Sequence, residues 1–173
     1  EVFLNECRVP GRFLLAEVWK GREGLEEFHF MLALAGQGPE SDAALDKAIG
    51  IRPRFALARF VRGNHRHARR DADGTLEDYT EALRVCPRFS QALANRCGVW
   101  ITKAQYANAI DDADAAIALG LDSSSVFNNR GFAKRLHGDL GGAVADHSEA
   151  IVRNPQSVEA HANRAIAYYM KGM

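Results

Sequence analysis

A fixed interval relates successive segments of this chain, and it constrains the fold more than any other feature. The triplet Asn129-Arg130-Gly131 has one counterpart at 95–97 and another, equally distant on the other side, at 163–165. After each complete copy, a small residue, an acid and an Ala-Leu or Ala-Ile pair follow in the same register. Self-similarity at such a period, here about 34 residues, indicates a stack of supersecondary units, each of which buries its apolar face against its neighbours.

Helical spacing of apolar residues within each copy predicts two helices per unit. Turns are predicted near 71–74, 104–105 and 137–139, and a proline ends three of the units. We therefore predict an all-α chain of tandem helix–turn–helix repeats. The predicted parts are a leading segment with a short helix over 1–21, a degenerate repeat over 22–55, well-formed repeats over 56–89, 90–123 and 124–157, and the first helix of another repeat over 158–173.

The pattern resembles the tetratricopeptide repeat from the degenerate unit to the C-terminus. That family favours a small residue at position 8 of its repeat unit and an aromatic residue at position 24. Gly63 and Gly131 match position 8 and Tyr79 matches position 24, whereas His147 departs from the pattern. Alanine at position 27 recurs as Ala48, Ala82, Ala116 and Ala150. The resemblance implies a right-handed superhelix of paired antiparallel helices, an α-solenoid, whose concave groove holds other proteins.

An arginine in the first helix of each well-formed repeat is followed, always at the same spacing, by an aspartate in the second helix. The degenerate repeat has Phe28 and Ala44 at these positions, and this joint loss favours direct contact between the two side chains. We predict a structural, charge-assisted hydrogen bond between the two helices of each unit. The predicted pairs are Arg62 with Asp78, Arg96 with Asp112, and Arg130 with Asp146.

Asparagines at position 6 are the predicted peptide contacts, because the resemblance places this position on the concave surface. They are Asn95, Asn129 and Asn163. An amide presents a donor and an acceptor together, which matches one peptide unit of an extended ligand. The alternative is that these amides serve local packing, since Val61 and Glu27 interrupt the series. The resemblance adds further groove residues, whose apolar members are either ligand anchors or core groups: Asn64, Phe60, Ile101, Phe132 and Arg135.

A carboxylate clamp, with which some members of the family hold the C-terminal tails of chaperones, is not matched. The clamp requires Lys and Asn in one unit, Asn in the next, and Lys with Arg in the third. The corresponding residues here are Phe60 with Asn64, Asn95, and Ser125 with Asn129. Because both lysines and the arginine are absent, we expect chaperone C-terminal tails not to be partners.

A basic patch follows from the arginines between Lys47 and Arg70, a stretch without any acid. Spacings of three and four residues place the patch along one side of a helix. Either Asp42 and Asp46 of the preceding repeat face it, which is the interpretation we favour, or it is open to an acidic partner or a phosphate backbone. The patch comprises Arg59, Arg62, Arg66 and Arg69.

Overall charge gives no support for a nucleic-acid or membrane partner, since Lys plus Arg and Asp plus Glu balance at 22 each. The three cysteines are odd in number and lack metal-ligand spacing, which is more typical of a reducing compartment than of a disulfide framework. No apolar run reaches the roughly 18 residues of a membrane span, and no secretory signal opens the chain. We expect an intracellular protein, in the cytoplasm or inside an organelle, without metal or cofactor.

No catalytic constellation emerges from the sequence. We therefore predict a non-catalytic scaffold or assembly subunit of a larger complex, which holds a segment of a partner protein in its groove. Two alternatives stay open. One is an RNA-binding helical-repeat protein that uses the basic patch. The other is the targeting arm of an enzyme, because the chain does not begin with Met and stops within a repeat, as a fragment would.

Overall fold

The computed structural model describes residues 38–172, and this part of the chain consists of α-helices joined by short turns, without a β-strand. The predicted leading helix and the first helix of the degenerate repeat lie outside the described residues. The expected fold class, an all-α array of tandem helix–turn–helix repeats, is confirmed. The described helices are α1 (Pro39–Ile51), α2 (Ala56–Ala68), α3 (Ala72–Val85), α4 (Ser90–Thr102), α5 (Tyr106–Ala118), α6 (Ser124–His137), α7 (Leu140–Arg153) and α8 (Val158–Lys171).

The even-numbered helices begin at equal intervals, at Ala56, Ser90, Ser124 and Val158. Side chains at the helix starts explain where several helices begin. The carboxylate of Asp139 accepts a hydrogen bond from the backbone N–H of Gly142 at 2.8 Å, and the hydroxyl of Ser157 accepts from Ala160 at 3.2 Å. Such N-caps satisfy backbone donors that the first turn of a helix leaves unpaired.

One predicted turn lies too far along the chain. The turn expected at 71–74 is observed at residues 69–71, and α3 already begins at Ala72. The reason is that Asp71 caps this helix by accepting from the backbone N–H of Gly74 at 2.9 Å. Gly74 therefore belongs to the first turn of α3.

The chain divides into two compact units, Glu1–Phe89 and Ser90–Met173. In the first unit, α2 packs against both α1 and α3. Tyr79 of α3 is buried, and its hydroxyl donates a hydrogen bond to Oδ1 of Asn64 at 2.6 Å. The core between α1 and α2 consists of Ala44, Leu45, Ala48, Ile49, Ala58 and Val61, with Phe55, Leu57 and Phe60 packed against it.

The second unit contains α4 to α8, in which every helix packs against the next one. The first helices of successive repeats also touch, since α6 contacts both α4 and α8. Small side chains let the helices approach closely. The fully buried alanines of this unit are Ala92, Ala109, Ala113, Ala116, Ala133, Ala143, Ala150, Ala160 and Ala167.

None of the helices between residues 38 and 172 combines the length and the hydropathy needed to cross a bilayer.

Candidate functional site

The structure brings each of the three Arg–Asp pairs into contact, and each contact is a two-pronged one. Arg62 donates through Nε and Nη2 to Asp78, with a shortest distance of 2.6 Å. In the second unit, Nε and Nη2 of Arg96 both lie 2.8 Å from Asp112. The planar guanidinium fork matches the two oxygens of a carboxylate, so each contact fixes how the two helices of a repeat are aligned.

Two of these arginines also reach backward to the second helix of the preceding repeat. Nη1 of Arg62 donates to Asp46 at 2.7 Å, and Nη1 of Arg130 donates to Asp114 at 2.6 Å. Hydrogen bonds to the carboxylates raise the pKa of both guanidinium groups, against the opposing effect of their burial. The contact with Asp114 was not predicted from the sequence, although Asp114 precedes Arg130 by the same spacing as Asp46 precedes Arg62. These arginines therefore tie three consecutive helices together.

The basic patch is largely compensated within the first unit. Nη1 of Arg66 lies 3.1 Å from Asp78, and Arg59 donates to the carbonyl oxygen of Pro53 at 3.2 Å. Arg69 forms an ion pair with Asp42. Arg62 is held by Asp78 and by Asp46, so the acids of the preceding repeat face the patch as the favoured interpretation required. The RNA-binding alternative rested on a basic patch open to a phosphate backbone, whereas these arginines are hydrogen-bonded or ion-paired within the unit.

The pKa of Asp42 reflects this pairing. Burial by itself would raise the pKa, but hydrogen bonds from Arg69 and His65 outweigh that effect and lower it below 3.8. Nδ1 of His65 lies 2.9 Å from the carboxylate. The carboxylate of Asp42 in α1 thus contacts both His65 of α2 and Arg69, the residue that follows α2.

The expected series of asparagines is interrupted at its C-terminal member. Asn95 is exposed on α4 and Asn129 is half-buried on α6, but Asn163 is buried. Nδ2 of Asn163 donates to Oδ1 of Asn128 at 3.2 Å. The prediction that this amide faces a ligand is therefore wrong, because the amide is used inside the unit. Asn64 is also engaged, as the acceptor of the Tyr79 hydroxyl.

The apolar groove residues fall into two groups. The ring of Phe60 is half-buried and contacts Tyr79 and Phe89, with centroid distances of 5.8 and 4.7 Å, which favours the alternative that it packs against the core. Ile101 is half-buried on α4. Phe132 is half-buried on α6, and the guanidinium of Arg135 stacks over its ring at 4.8 Å.

A buried polar network joins the last three helices of the second unit. His147 of α7 is fully buried, and its Nδ1 lies 3.0 Å from Oδ1 of Asn128. Because that oxygen can only accept, Nδ1 carries the proton and Nε2 is the unprotonated nitrogen. Nε2 is buried without a hydrogen-bond partner among the described residues. Burial, followed by the charge of Arg135, lowers the pKa of His147 to about 4.

Acidification is therefore expected to destabilise the second unit through His147. The unfolded chain has the ordinary histidine pKa of 6.5, so it binds the proton first as the pH falls. The contribution is fully present above about pH 6.5 and is lost on the way down to about pH 4, with a change of roughly 2 kcal/mol between pH 7 and pH 5. Urea unfolding followed by circular dichroism at both pH values measures it.

His147→Gln is the control for this pH dependence, because glutamine does not titrate and its amide can still donate to Asn128. The variant should lose less unfolding free energy than the parent between pH 7 and pH 5. The charged groups around the imidazole, Arg135, Arg164 and Asp146, are unchanged in the variant. An equal loss in both proteins would contradict the assignment.

The cysteines do not form a reactive site in the described residues. Cys97 is a buried thiol, and burial, with a smaller effect of Asp112, raises its pKa to about 12. Such a thiol stays protonated and is a poor nucleophile. Between residues 38 and 172, no three His, Cys, Asp or Glu side chains are placed to hold a metal ion.

Comparison with known proteins gives relatives of one kind. No protein-family model matches the chain. It is 31% identical over 78 residues to small glutamine-rich tetratricopeptide repeat-containing protein 2 of Saccharomyces cerevisiae, covering 45% of this chain and 22% of that protein. It is 26% identical over 121 residues to RNA polymerase II-associated protein 3 of Xenopus tropicalis, covering 70% and 18%. The chain thus spans about a fifth of the length of these curated relatives.

Similar solved structures have the same fold. MamA of Desulfovibrio magneticus matches with a TM-score of 0.78 at 14% identity, covering 85% of each chain. The first repeat domain of Spaghetti (RPAP3), bound to an HSP90 peptide, matches with a TM-score of 0.65 at 21% identity, covering 68% of this chain and 94% of that one. The repeat domain of Sgt2 from Aspergillus fumigatus matches with a TM-score of 0.63 at 21% identity, covering 68% and 79%.

Proposed function

We propose that the chain is a tetratricopeptide-repeat array and that it is a non-catalytic module, which holds a segment of another protein against the first helices of its repeats. In the second unit these helices are α4, α6 and α8, and α6 contacts both of the others. We call the side of α4, α6 and α8 that carries Asn95, Asn129, Phe132, Arg135, Ile166 and Tyr169 the first-helix surface.

The observation that carries the proposal is the composition of this surface. Ile166 and Tyr169 follow Phe132 and Arg135 by one repeat period, so they occupy equivalent positions on neighbouring first helices. Ile166 is 44% exposed and Tyr169 is 85% exposed. The Asn129 amide would be a partner for the ligand backbone, and the large apolar groups would be anchors for its side chains, so the surface offers both elements of peptide recognition.

We also propose that the protein uses this surface to assemble a larger complex. A scaffold needs a ligand surface and a rigid frame, and the paired arginines and aspartates provide the frame. We further propose that the protein acts inside the cell. The compartments that we propose are the cytoplasm and the interior of an organelle. Cell fractionation with an antibody against the chain tests the location.

The C-terminal tails of chaperones, which we expected not to be partners, should be tested as ligands. The clamp residues are absent, but the similar structure of Spaghetti is bound to an HSP90 peptide, SRMEEVD, which weighs against our expectation that such tails are not partners. The peptide therefore serves as one defined probe. Its binding, measured by fluorescence anisotropy, would identify the ligand class directly.

The main test is selection of a phage-displayed random peptide library on the parent chain, followed by affinity measurements with the enriched peptides. Asn95→Ala combined with Asn129→Ala should weaken binding by about tenfold, since two hydrogen bonds are worth roughly 1–3 kcal/mol together. The matched control combines Asn108→Ala with Asn154→Ala. Both of these asparagines are exposed in the second unit, and neither lies on a first helix.

Circular dichroism must show that all three proteins are folded. Equal weakening by both double variants would move the ligand away from the first-helix surface. If the parent chain enriched no peptide and did not bind SRMEEVD, the proposed function would be rejected.

A further inference from the structure

Arg135 differs from the other arginines of the second unit in what its guanidinium contacts. Each of the others donates a hydrogen bond to an oxygen acceptor; they are Arg96, Arg130, Arg153 and Arg164. Arg135 instead donates through Nη1 to the sulfur of Met170, at 3.8 Å. A thioether is a weak acceptor. Nε of Arg135 is buried and has no hydrogen-bond partner within residues 38–172.

The two acids of α7 are engaged elsewhere. Asp146 is held by Arg130 and Lys134, and Glu149 is held by Arg153. In the described part of the chain, no carboxylate lies within ion-pair distance of Arg135. Its half-buried positive charge therefore lacks the counterion that the structure supplies to Arg96, Arg130 and Arg153.

The guanidinium is nevertheless held in place. It stacks on the ring of Phe132, 4.8 Å from the ring centre, and it bridges from α6 to Met170 on α8. A stacked guanidinium has lost much of its rotational freedom already, so binding a carboxylate costs less entropy than it would for a mobile side chain. Its planar fork also suits the two oxygens of a carboxylate.

Apolar groups lie next to this charge. Met170, which contacts Arg135 directly, is 50% exposed, and Ile166 and Tyr169 stand one turn or less before it on α8. Exposed apolar side chains that adjoin one another on a helix mark an interaction site more often than single ones do. The charge of Arg135 and the neighbouring apolar groups together suit a ligand that has both an acidic group and an apolar group.

We propose that Arg135 receives an acidic side chain of the bound peptide, and that Ile166, Tyr169 and Met170 receive an apolar residue beside it. This inference rests on the proposed function and specifies its ligand as a peptide segment of another protein in which Asp or Glu adjoins a large apolar residue. The carboxylate accepts from the Nη atoms of Arg135 in place of the sulfur of Met170. A charge-assisted bond of this kind contributes more than a neutral one.

The test is a selection of the same random peptide library on three folded proteins, the parent chain, Arg135→Gln and Arg153→Gln. Arg153→Gln removes the same charge from α7, outside the first-helix surface, and so controls for net charge. The parent and Arg153→Gln should enrich peptides with an acid next to an apolar residue. Arg135→Gln should keep the apolar preference and lose the acidic one.

Affinities of one enriched peptide and of its Glu→Gln or Asp→Asn counterpart complete the test. The acidic form should bind the parent about tenfold more tightly or better, and the two forms should bind Arg135→Gln alike. Arg135→Lys, which keeps the charge but not the fork, should restore part of the difference.

The outcomes separate the two proposals. Peptides enriched by the parent without an acidic preference, or with the same preference in Arg135→Gln, overturn this inference and leave the proposed function standing. Failure of the parent to enrich any peptide overturns this inference, and failure to bind SRMEEVD as well overturns the proposed function.

Discussion

Asp146→Ala is expected to destabilise the chain by about 3–5 kcal/mol, because it removes a buried carboxylate and leaves Lys134 and two nitrogens of Arg130 without their acceptor. The carboxylate accepts from Nε and Nη2 of Arg130 at 2.8 and 2.5 Å and pairs with Lys134 at 2.9 Å. Its side chain is 4% exposed. Without it, two cations remain partly buried with no acceptor in that position. Urea unfolding followed by circular dichroism measures the loss.

A double-mutant cycle shows whether this cost belongs to the contact itself. Arg130→Ala alone should also destabilise, but adding it to Asp146→Ala should cost much less than it does alone, with a coupling energy of about 1–3 kcal/mol. Asp114→Ala is the matched control, since it removes a carboxylate that contacts the same guanidinium but is 53% exposed. That substitution should cost less than about 1 kcal/mol. Additive effects of the first pair would refute the assigned contact.

Much of the fold could be predicted because the sequence repeats itself. Because the same pattern recurs in every repeat, each helix start can be predicted from several copies. An irregular residue in one copy therefore does not prevent the boundary from being recognised. The first helices of the repeats begin where this register places them, at Ala56, Ser90, Ser124 and Val158. The turn before α3 was misplaced because the position of an N-cap depends on one side chain, here Asp71, and the repeat pattern carries no information about it.

The Arg–Asp contacts could be predicted for a related reason. The arginine and the aspartate recur together and are lost together in the degenerate repeat. This joint pattern indicates that the two side chains are in contact. The backward contacts of Arg62 and Arg130 are harder to recognise. Asp46 and Asp114 occur at the same spacing, but Ser148 stands at that spacing before Arg164, so the pattern is incomplete.

The burial of Asn163 could not be predicted from its repeat position. At position 24 the first unit has Tyr79, which donates to Asn64, whereas the second unit has His147, which contacts Asn128 instead. Oδ1 of Asn128 then also accepts from Asn163, so one exchange of an aromatic residue for histidine draws a distant amide into the interior. Arg135 was expected in the groove from its register alone. Its lack of an oxygen acceptor is a property of the folded unit.

Gly131→Ala is expected to destabilise the chain by about 1–3 kcal/mol, although alanine is the better helix former, because there is no room for a methyl group. A Cβ atom at Gly131 would lie 2.9 Å from Cε1 of His147 and 3.1 Å from the backbone oxygen of Ala143. The helices α6 and α7 would have to separate. Gly98→Ala has the opposite expectation: a Cβ at Gly98 meets nothing within 4 Å, so the chain should be stabilised by about 0.5–1 kcal/mol.

A His147→Ala background separates the two sources of the Gly131 effect. Removing the imidazole keeps the contact with the oxygen of Ala143, which is part of the backbone of α7 and cannot turn aside. If the side chain dominates, Gly131→Ala should become nearly neutral in this background; if the approach of the two helices dominates, most of the cost should persist. Equal and stabilising effects of Gly131→Ala and Gly98→Ala in the parent chain would refute the close packing of α6 against α7, since only helix propensity would then distinguish glycine from alanine.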